Sequence, residues 1–217
     1  MEQTVLTPHQ QKAIELIASE KRLGDFYLSG GTALAAYYLQ HRFSDDLDFF
    51  VFENPDLIFL KSFAEKIKEE IGAKDIRFER LYDRNQFFFE TSTGELKVEF
   101  TKYPFRQLEN TTLKDGIKID SLRDLAANKL MAMLDRFDPK DFADLFFILQ
   151  NKNIGDIKLD VETKFEMKID NIFLGGELAK VKRIEALPKM IRPLTINHIR
   201  TFFAEKASEL ASEIIRN

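Results

Sequence analysis

The stretch that most constrains the fold of this 217-residue chain is LSGGTALAAYYLQHRFSDDLDFF, which spans Leu28–Phe50. The run FYLSG, ending at the first of two adjacent glycines, is typical of a short buried strand that leads into a tight turn. The next segment, TALAAYYLQH, has the composition of a helix, and LDFFVFE has the aromatic and β-branched composition of a second strand. The stretch therefore predicts a strand–Gly-Gly–helix–strand unit.

The sequence on either side of this unit alternates between helix and strand patterns. Thr7-Pro8 predicts the start of a helix that runs to about Arg22. Leu57–Ile71 predicts an amphipathic helix that ends at Gly72. Three runs that favour strands follow: DIRFERLY, QFFFETS and ELKVEFTKY.

The sequence becomes mainly helical after about residue 105. Helices are predicted in IDSLRDLAANKLMAMLDRF, PKDFADLFFILQ and TINHIRTFFAEKASELASEIIRN, whereas Asn153–Lys182 is poorly patterned. We expect an α+β fold, with a mixed sheet and flanking helices in residues 1–105. Residues 106–217 are expected to form a mainly helical region that completes a cleft with this sheet.

Composition excludes several classes of protein. The chain has no cysteine, so disulfides and thiolate metal sites are excluded. A net charge of −4 argues against nucleic-acid binding through a globally basic surface, although it leaves room for a local basic patch. The apolar runs are too short to span a bilayer, and Met1–Thr7 does not resemble a signal peptide. We expect a cytoplasmic protein with no membrane partner.

Asp46 and Asp48 are two residues apart in a predicted strand, so both carboxylates leave the same face. Like charges so placed repel each other unless water or a cation separates them. Mg²⁺ binds through one or two protein carboxylates together with substrate phosphates, and Glu99 on a later strand offers a third oxygen ligand. An Asp-x-Asp pair alone is most often a turn or a solvated strand face. Asp45 lies off the shared face and is expected to be a bystander.

Gly30 and Gly31, between a strand and a helix, can present backbone N–H groups to an anion without obstruction by side chains. The Ser29 and Thr32 hydroxyls can also donate to phosphate oxygens. Taken alone, the glycines favour a tight turn that Thr32 caps. A phosphate-binding turn followed by a carboxylate pair on the next strand is more specific, because phosphoryl and nucleotidyl transfer need both features in one cleft.

The helical region contains a second group of charged residues. Lys129 interrupts the apolar run AANKLMAML, although an exposed lysine is an equally good explanation. Asp141 and Asp144 share a helix face, and a position in the first helical turn also explains Asp141. Arg136 could pair with Asp141 or with substrate. For His41 and Arg42, the favoured role is to complement the helix C-terminal dipole.

Together these residues resemble the AbiEii/AbiGii-type nucleotidyltransferases, which are toxins of abortive-infection and type IV toxin–antitoxin systems. The family belongs to the DNA polymerase beta-like nucleotidyltransferase superfamily. Three segments carry the resemblance: GGTAL…HRFSDDLDFF, LRDLAANKLMAMLDRFDPKDFADLFFIL and LPKMIRPLTINHIRTFF. The resemblance extends from about residue 25 to residue 205.

The resemblance implies roles for individual residues. The residues that match the nucleotide-binding turn are Gly30, Gly31 and Thr32. Asp46 and Asp48 match the metal-binding pair, and Glu99 falls where the third strand acid lies, although several members have Asp there. Lys129 matches the lysine expected to reach the triphosphate. Asp141 matches the acid of the Lys/Arg-Asp signature, with Asp144 as an alternative.

The resemblance also implies an activity: Mg²⁺-dependent transfer of a nucleoside monophosphate from an NTP to an acceptor hydroxyl on tRNA or protein, with two Mg²⁺ ions and a cognate antitoxin. Glu99 could also accept the proton of the attacking hydroxyl. Two alternatives remain open. One is nucleotidylation of a small molecule such as an aminoglycoside. The other is a non-catalytic nucleotide-binding module, against which the intact acids argue.

Overall fold

The computed structural model describes residues 4–216, with side chains up to residue 210. The chain divides into two compact units. The first comprises the residues up to Tyr38 together with Ser44–Phe105 and Glu109–Ser121, and the second comprises Leu39–Phe43, Arg106–Leu108 and the chain from Leu122 onward. The sequence predicted a division near residue 105. Residues 109–121 lie with the first unit because their two strands extend its sheet.

The first unit is built on a mixed sheet of seven strands in the order β3-β4-β5-β2-β1-β7-β6. The strands are β1 (Tyr27–Ser29), β2 (Asp46–Val51), β3 (Asp75–Leu81), β4 (Arg84–Thr91), β5 (Gly94–Lys102), β6 (Thr112–Lys114) and β7 (Ile117–Ile119). The β2–β5 and β1–β7 pairs are parallel, whereas the other neighbours are antiparallel. The two acids of the Asp-x-Asp pair therefore lie on a central strand.

Three helices belong to the first unit: α1 (Pro8–Ser19), α2 (Gly30–Leu34), which continues as a π-helical turn over Ala35–Leu39, and α3 (Leu57–Ile71). Thr7 and Gln10 form a reciprocal capping box at the start of α1. The helix ends at Ser19 rather than at the predicted Arg22, because Glu20 is extended and a 3₁₀ turn follows. Gly72 ends α3 in the left-handed conformation, as predicted.

The second unit is helical, as predicted. Its helices are α4 (Leu122–Asp135), α5 (Pro139–Ile148), α6 (Ile154–Lys164), α7 (Asn171–Ala179) and α8 (Ile196–Arg216). Helix α4 packs on α5 and α6, and α8 packs on α5 and α7. The rings of Phe142 and Phe203 meet edge to face at 5.2 Å in this core. Together, the mixed sheet with flanking helices and the helical second half confirm the predicted α+β fold.

Side chains along β2 alternate between buried and partly exposed positions, so the core and the candidate site lie on opposite faces of the strand. Leu47 and Phe49 are fully buried on one face of the strand, where Phe49 stacks on Phe100 of β5. Asp46 and Asp48 point to the opposite, partly exposed face, as the period of two residues predicted. Because the apolar face is packed, the register of β2 is fixed, and a slip of one residue would bury both acids. No helix in residues 4–216 has the length and apolar character needed to cross a bilayer.

Candidate active site

The register of β2 with its neighbours gathers charged side chains at the centre of the sheet. Asp46 lies opposite Lys97 of β5, and Asp48 lies between Ser29 of β1 and Glu99 of β5. Directly opposed residues point to the same face, so both aspartates, Lys97 and Glu99 share one surface. The predicted acids Asp46, Asp48 and Glu99 therefore come together in the structure.

The Lys97 ammonium lies among the three carboxylates. Its Nζ is 3.2 Å from Asp46 Oδ2, 3.4 Å from Asp48 Oδ1 and 3.4 Å from Glu99 Oε2. Burial disfavours the charged form of Lys97, but the carboxylates of Asp48, Asp46 and Glu99 outweigh it and raise the lysine pKa. Burial raises the pKa of Asp48, against the effect of the ammonium. The cluster therefore includes a cation that the sequence prediction did not assign to the site.

Glu99 is nearly fully buried, and both of its oxygens accept hydrogen bonds. The donors are Arg84 Nε (2.6 Å) and Thr101 Oγ1 (2.6 Å) to Oε1, and Arg84 Nη2 (2.8 Å) and Gln86 Nε2 (2.8 Å) to Oε2. Burial opposes ionisation, yet these donors hold the pKa of Glu99 at about 2. Glu99 thus anchors Arg84 and stays ionised at neutral pH.

This arrangement predicts acid-sensitive stability. The folded-state pKa of Glu99, about 2, lies below its ordinary value of 4.5, so the stabilisation is complete above about pH 4.5 and is lost as the pH falls toward 2. We expect the free energy of unfolding, measured by urea denaturation, to fall over this range and to fall less in Glu99→Gln. Glu95→Gln, at an exposed position of the same strand, should keep the wild-type slope. Equal slopes in wild type and Glu99→Gln would contradict the prediction.

Gly30 brings the backbone against the Asp48 carboxylate. A Cβ at this position would lie 2.5 Å from Asp48 Oδ2, and the residue has a φ of +71°. Both facts require glycine, because a side chain would displace the carboxylate and the left-handed conformation disfavours other residues. The Gly-Gly turn therefore adjoins Asp48, which the sequence predicted to bind a metal ion.

Gly30→Ala is expected to destabilise the protein and to displace the Asp48 carboxylate. Gly72→Ala is a matched control, because Gly72 has a φ of +67° but no atom within 4 Å of an added Cβ. Gly72→Ala should cost about 1–2 kcal/mol from backbone strain alone. Gly30→Ala should cost about 1–3 kcal/mol more, as overpacking does. Equal losses in the free energy of unfolding, measured by chemical denaturation, would show that the contact with Asp48 adds nothing to the destabilisation.

The two hydroxyls that were predicted to bind phosphate donate within the protein. Ser29 Oγ donates to Asp120 Oδ2 at 2.7 Å, and Thr32 Oγ1 donates to the backbone carbonyl of Asp46. Both residues are fully buried. The hydroxyls therefore fix the turn relative to β2 and β7, and the turn can offer a phosphate only its backbone N–H groups.

Asp46 and Asp48 fit a divalent metal ion in chemistry and placement. They supply two hard oxygen ligands on one surface, and an ammonium ion already bridges them. Within the described part of the chain, no three His, Cys, Asp or Glu residues are grouped as ligands of a single ion. Both oxygens of Glu99 already accept hydrogen bonds from other side chains.

The other predicted residues, Lys129 and Asp141, meet in the second unit. Lys129 Nζ is 3.0 Å from Asp141 Oδ1 and 2.7 Å from Asp144 Oδ2. Asp141 also accepts a bond from Arg136 Nε at 3.1 Å, which was one of the pairings suggested by the sequence. All but Arg136 are buried, and the carboxylates raise the pKa of Lys129 although burial opposes the charged form.

His41 and Arg42 bind Asp144, whereas the sequence suggested that they complement a helix end. Arg42 donates from Nε and Nη2 to the two oxygens of Asp144, at 2.6 and 2.9 Å, and His41 Nε2 lies 2.7 Å from Oδ1. Burial raises the pKa of Asp144, but Lys129, Arg42 and His41 outweigh it and hold the pKa far below its usual value. The partners are about a hundred residues apart in sequence, so local spacing gave no signal of this cluster.

Comparison with known proteins agrees with the fold. The sequence profile of the family described as "Nucleotidyl transferase AbiEii toxin, Type IV TA system" matches residues 18–213. The Aquifex aeolicus (strain VF5) protein described as "Uncharacterized protein aq_aa25" is 37% identical over 170 residues, which cover 77% of this chain and 77% of that protein.

Two solved structures show the same fold at low sequence identity. JHP933 from Helicobacter pylori has a TM-score of 0.60 and 19% identity, and the match covers 96% of this chain and 91% of that chain. MenT4, a nucleotidyltransferase toxin from Mycobacterium tuberculosis H37Rv, has a TM-score of 0.58 and 16% identity, with coverage of 93% and 81%.

The fold and the family match define an enzyme of the nucleotidyltransferase class. The chain belongs to the AbiEii nucleotidyltransferase toxin family. The predictions of family and enzyme class are thereby confirmed.

Proposed function

We propose that the protein transfers a nucleoside monophosphate from an NTP to an acceptor hydroxyl, at the surface formed by Asp46, Asp48 and the Gly30-Gly31 turn. The observation that carries the proposal is the contact between Gly30 and Asp48. A nucleotide phosphate bound at the backbone N–H groups of the turn would lie beside the carboxylates. This juxtaposition is what nucleotidyl transfer requires.

The chemistry is a substitution at the α-phosphorus. The acceptor oxygen forms a bond to the α-phosphorus while the bond from that phosphorus to the bridging oxygen breaks, and pyrophosphate leaves with that oxygen. Asp46 and Asp48 would hold Mg²⁺, with two ions expected from the family resemblance. The bound metal would neutralise phosphate charge and polarise the reacting phosphoryl group.

The geometry bears on the proposed roles of Glu99 and Lys129. A carboxyl group with a pKa of about 2 is a weak base, so we propose that Glu99 positions Arg84 and that the hydroxyl proton passes to water. Asp46, whose side chain is 43% exposed, leaves this surface open to solvent. Lys129 is proposed to neutralise the triphosphate, which requires its ammonium to be shared with or released from Asp141 and Asp144.

Family membership supports a nucleotidyltransferase toxin of a type IV toxin–antitoxin system. We propose tRNA or a protein as its acceptor, and an antitoxin encoded beside it. Expression of the chain alone should arrest growth, and co-expression of the neighbouring gene should relieve the arrest. Resistance to an aminoglycoside without arrest would instead favour a small-molecule acceptor.

The acceptor can be identified with purified protein. Incubation with each of four α-labelled NTPs, first with total tRNA and then with a protein extract, should label one acceptor class. Absence of label in both classes under conditions in which the protein binds NTP would contradict the proposed activity.

A further inference from the structure

The Lys97 ammonium contacts both Asp46 and Asp48, the two carboxylates proposed above to hold a metal ion. Its Nζ lies within 3.4 Å of an oxygen from each of Asp46, Asp48 and Glu99, and its side chain is only 15% exposed. A lysine that merely covered the sheet face would extend its ammonium into water. Instead, three carboxylates surround the ammonium.

The three carboxylates differ in what else they bind. Both oxygens of Glu99 accept bonds from Arg84, Gln86 and Thr101 in addition to the contact with Lys97. Asp46 and Asp48 have Lys97 as their shared cation. Without the ammonium, two carboxylates on neighbouring positions of one strand face would repel each other.

We propose that Lys97 is an internal counter-cation that occupies the metal position in the metal-free protein, and that a divalent ion binds Asp46 and Asp48 by displacing its ammonium. The inference rests on the proposed function, since that function places the metal on these two aspartates. Glu99 is then a positioning residue rather than a metal ligand. Its carboxylate continues to bind Arg84 and stays in contact with the displaced Lys97 ammonium.

The geometry makes this exchange local. Lys97 and Glu99 are two residues apart on the same face of β5, so the ammonium can leave the aspartates while it remains beside Glu99. The flexible four-carbon stem of lysine allows such a movement without a change in the strand. The site would keep a cation beside Asp46 and Asp48 both with and without metal, so the sheet would not need to rearrange.

The test is Lys97→Met, which keeps much of the side-chain length and removes the charge. Lys102→Met is the matched control, because Lys102 lies on the same strand but points to the opposite face. Mn²⁺ is titrated against each protein and counted by the electron paramagnetic resonance of the free ion, without nucleotide. Thermal unfolding is followed in EDTA and in Mn²⁺.

We expect Lys97→Met to bind Mn²⁺ at least about tenfold more tightly than wild type, because one competing charge within contact distance is removed. In EDTA its unfolding temperature should fall below that of wild type, and Mn²⁺ should restore it. Lys102→Met should match wild type in both measurements. Unchanged or weaker Mn²⁺ binding by Lys97→Met, or an unfolding temperature in EDTA equal to that of wild type, would overturn the inference.

Asp48→Asn separates this inference from the proposed function. If Mn²⁺ binds equally well to Asp48→Asn and to wild type, the ion does not use this site and both ideas fail. If Asp48→Asn abolishes binding and Lys97→Met leaves it unchanged, only the role of Lys97 is overturned.

Discussion

Asp48→Asn is expected to reduce nucleotide transfer by at least about a hundredfold, because loss of the proposed metal ligand would remove several kcal/mol of transition-state stabilisation. The amide has the size of the carboxylate, so it can be accommodated beside Gly30. It also removes one of three neighbouring negative charges. The free energy of unfolding should therefore stay at or above the wild-type value, and the lost activity cannot be attributed to misfolding.

The control for this substitution is Asp45→Asn. Asp45 is exposed and precedes the strand. Its replacement by Asn is therefore the same chemical change beside the cluster, but it leaves the carboxylates of the cluster in place. Transfer by Asp45→Asn should remain within about twofold of wild type, since surface substitutions rarely alter a site. Full activity in Asp48→Asn, or equal losses in the two variants, would contradict the role of Asp48.

The second large effect is expected at Asp144. This carboxylate is fully buried and contacts three basic side chains, those of His41, Arg42 and Lys129. Asp144→Asn would leave the Arg42 guanidinium buried without its carboxylate. Removal of one partner from a buried ion pair costs about 3–5 kcal/mol, so we expect a loss of that size in the free energy of unfolding.

Asp160→Asn tests whether the loss reflects burial. Asp160 accepts bonds from Arg123 at 2.7–3.0 Å, but the Arg123 side chain is 43% exposed. A pair open to solvent contributes at most about 1 kcal/mol. Urea denaturation of both variants measures the difference. A loss below about 1 kcal/mol for Asp144→Asn would show that the buried cluster does not stabilise the second unit.

Local patterns in the sequence were sufficient for the parts of the fold that depend on periodicity. The alternation of DLDF placed Asp46 and Asp48 on one face and Leu47 and Phe49 in the core, as the structure shows. Gly72 also marked the end of a helix, because the left-handed backbone conformation at a helix end depends on the local residue.

Elements stabilised mainly by tertiary packing were not predicted. Strands β6 and β7 have three residues each, too few for a pattern. Their Asp115-Gly116 turn was nevertheless a usable signal, because both residues have positive φ and Asp-Gly favours such a two-residue hairpin turn. Helices α6 and α7 also lay in the poorly patterned region, although Asn153 and Asp170 cap them.

The contacts among charged side chains at the site could not be predicted from local sequence patterns either. The sequence placed Lys97 and Glu99 on one strand face, but it gave no indication that Arg84 would bind both Glu99 oxygens or that the Lys97 ammonium would lie between two aspartates. Those contacts depend on the register of β2 and β4 against β5. Register is a property of the assembled sheet rather than of any one strand.

Transfer of the α-phosphate at Asp46 and Asp48 is tested most directly with two preparations of the same NTP, one labelled at the α-phosphate and the other at the γ-phosphate. Wild-type protein should pass label from the α-labelled NTP to the acceptor and release unlabelled pyrophosphate, whereas γ-labelled NTP should leave the acceptor unlabelled. Asp48→Asn should give no transfer from either. Label from the γ-phosphate on the acceptor, or undiminished α-label with Asp48→Asn, would contradict nucleotidyl transfer at this site.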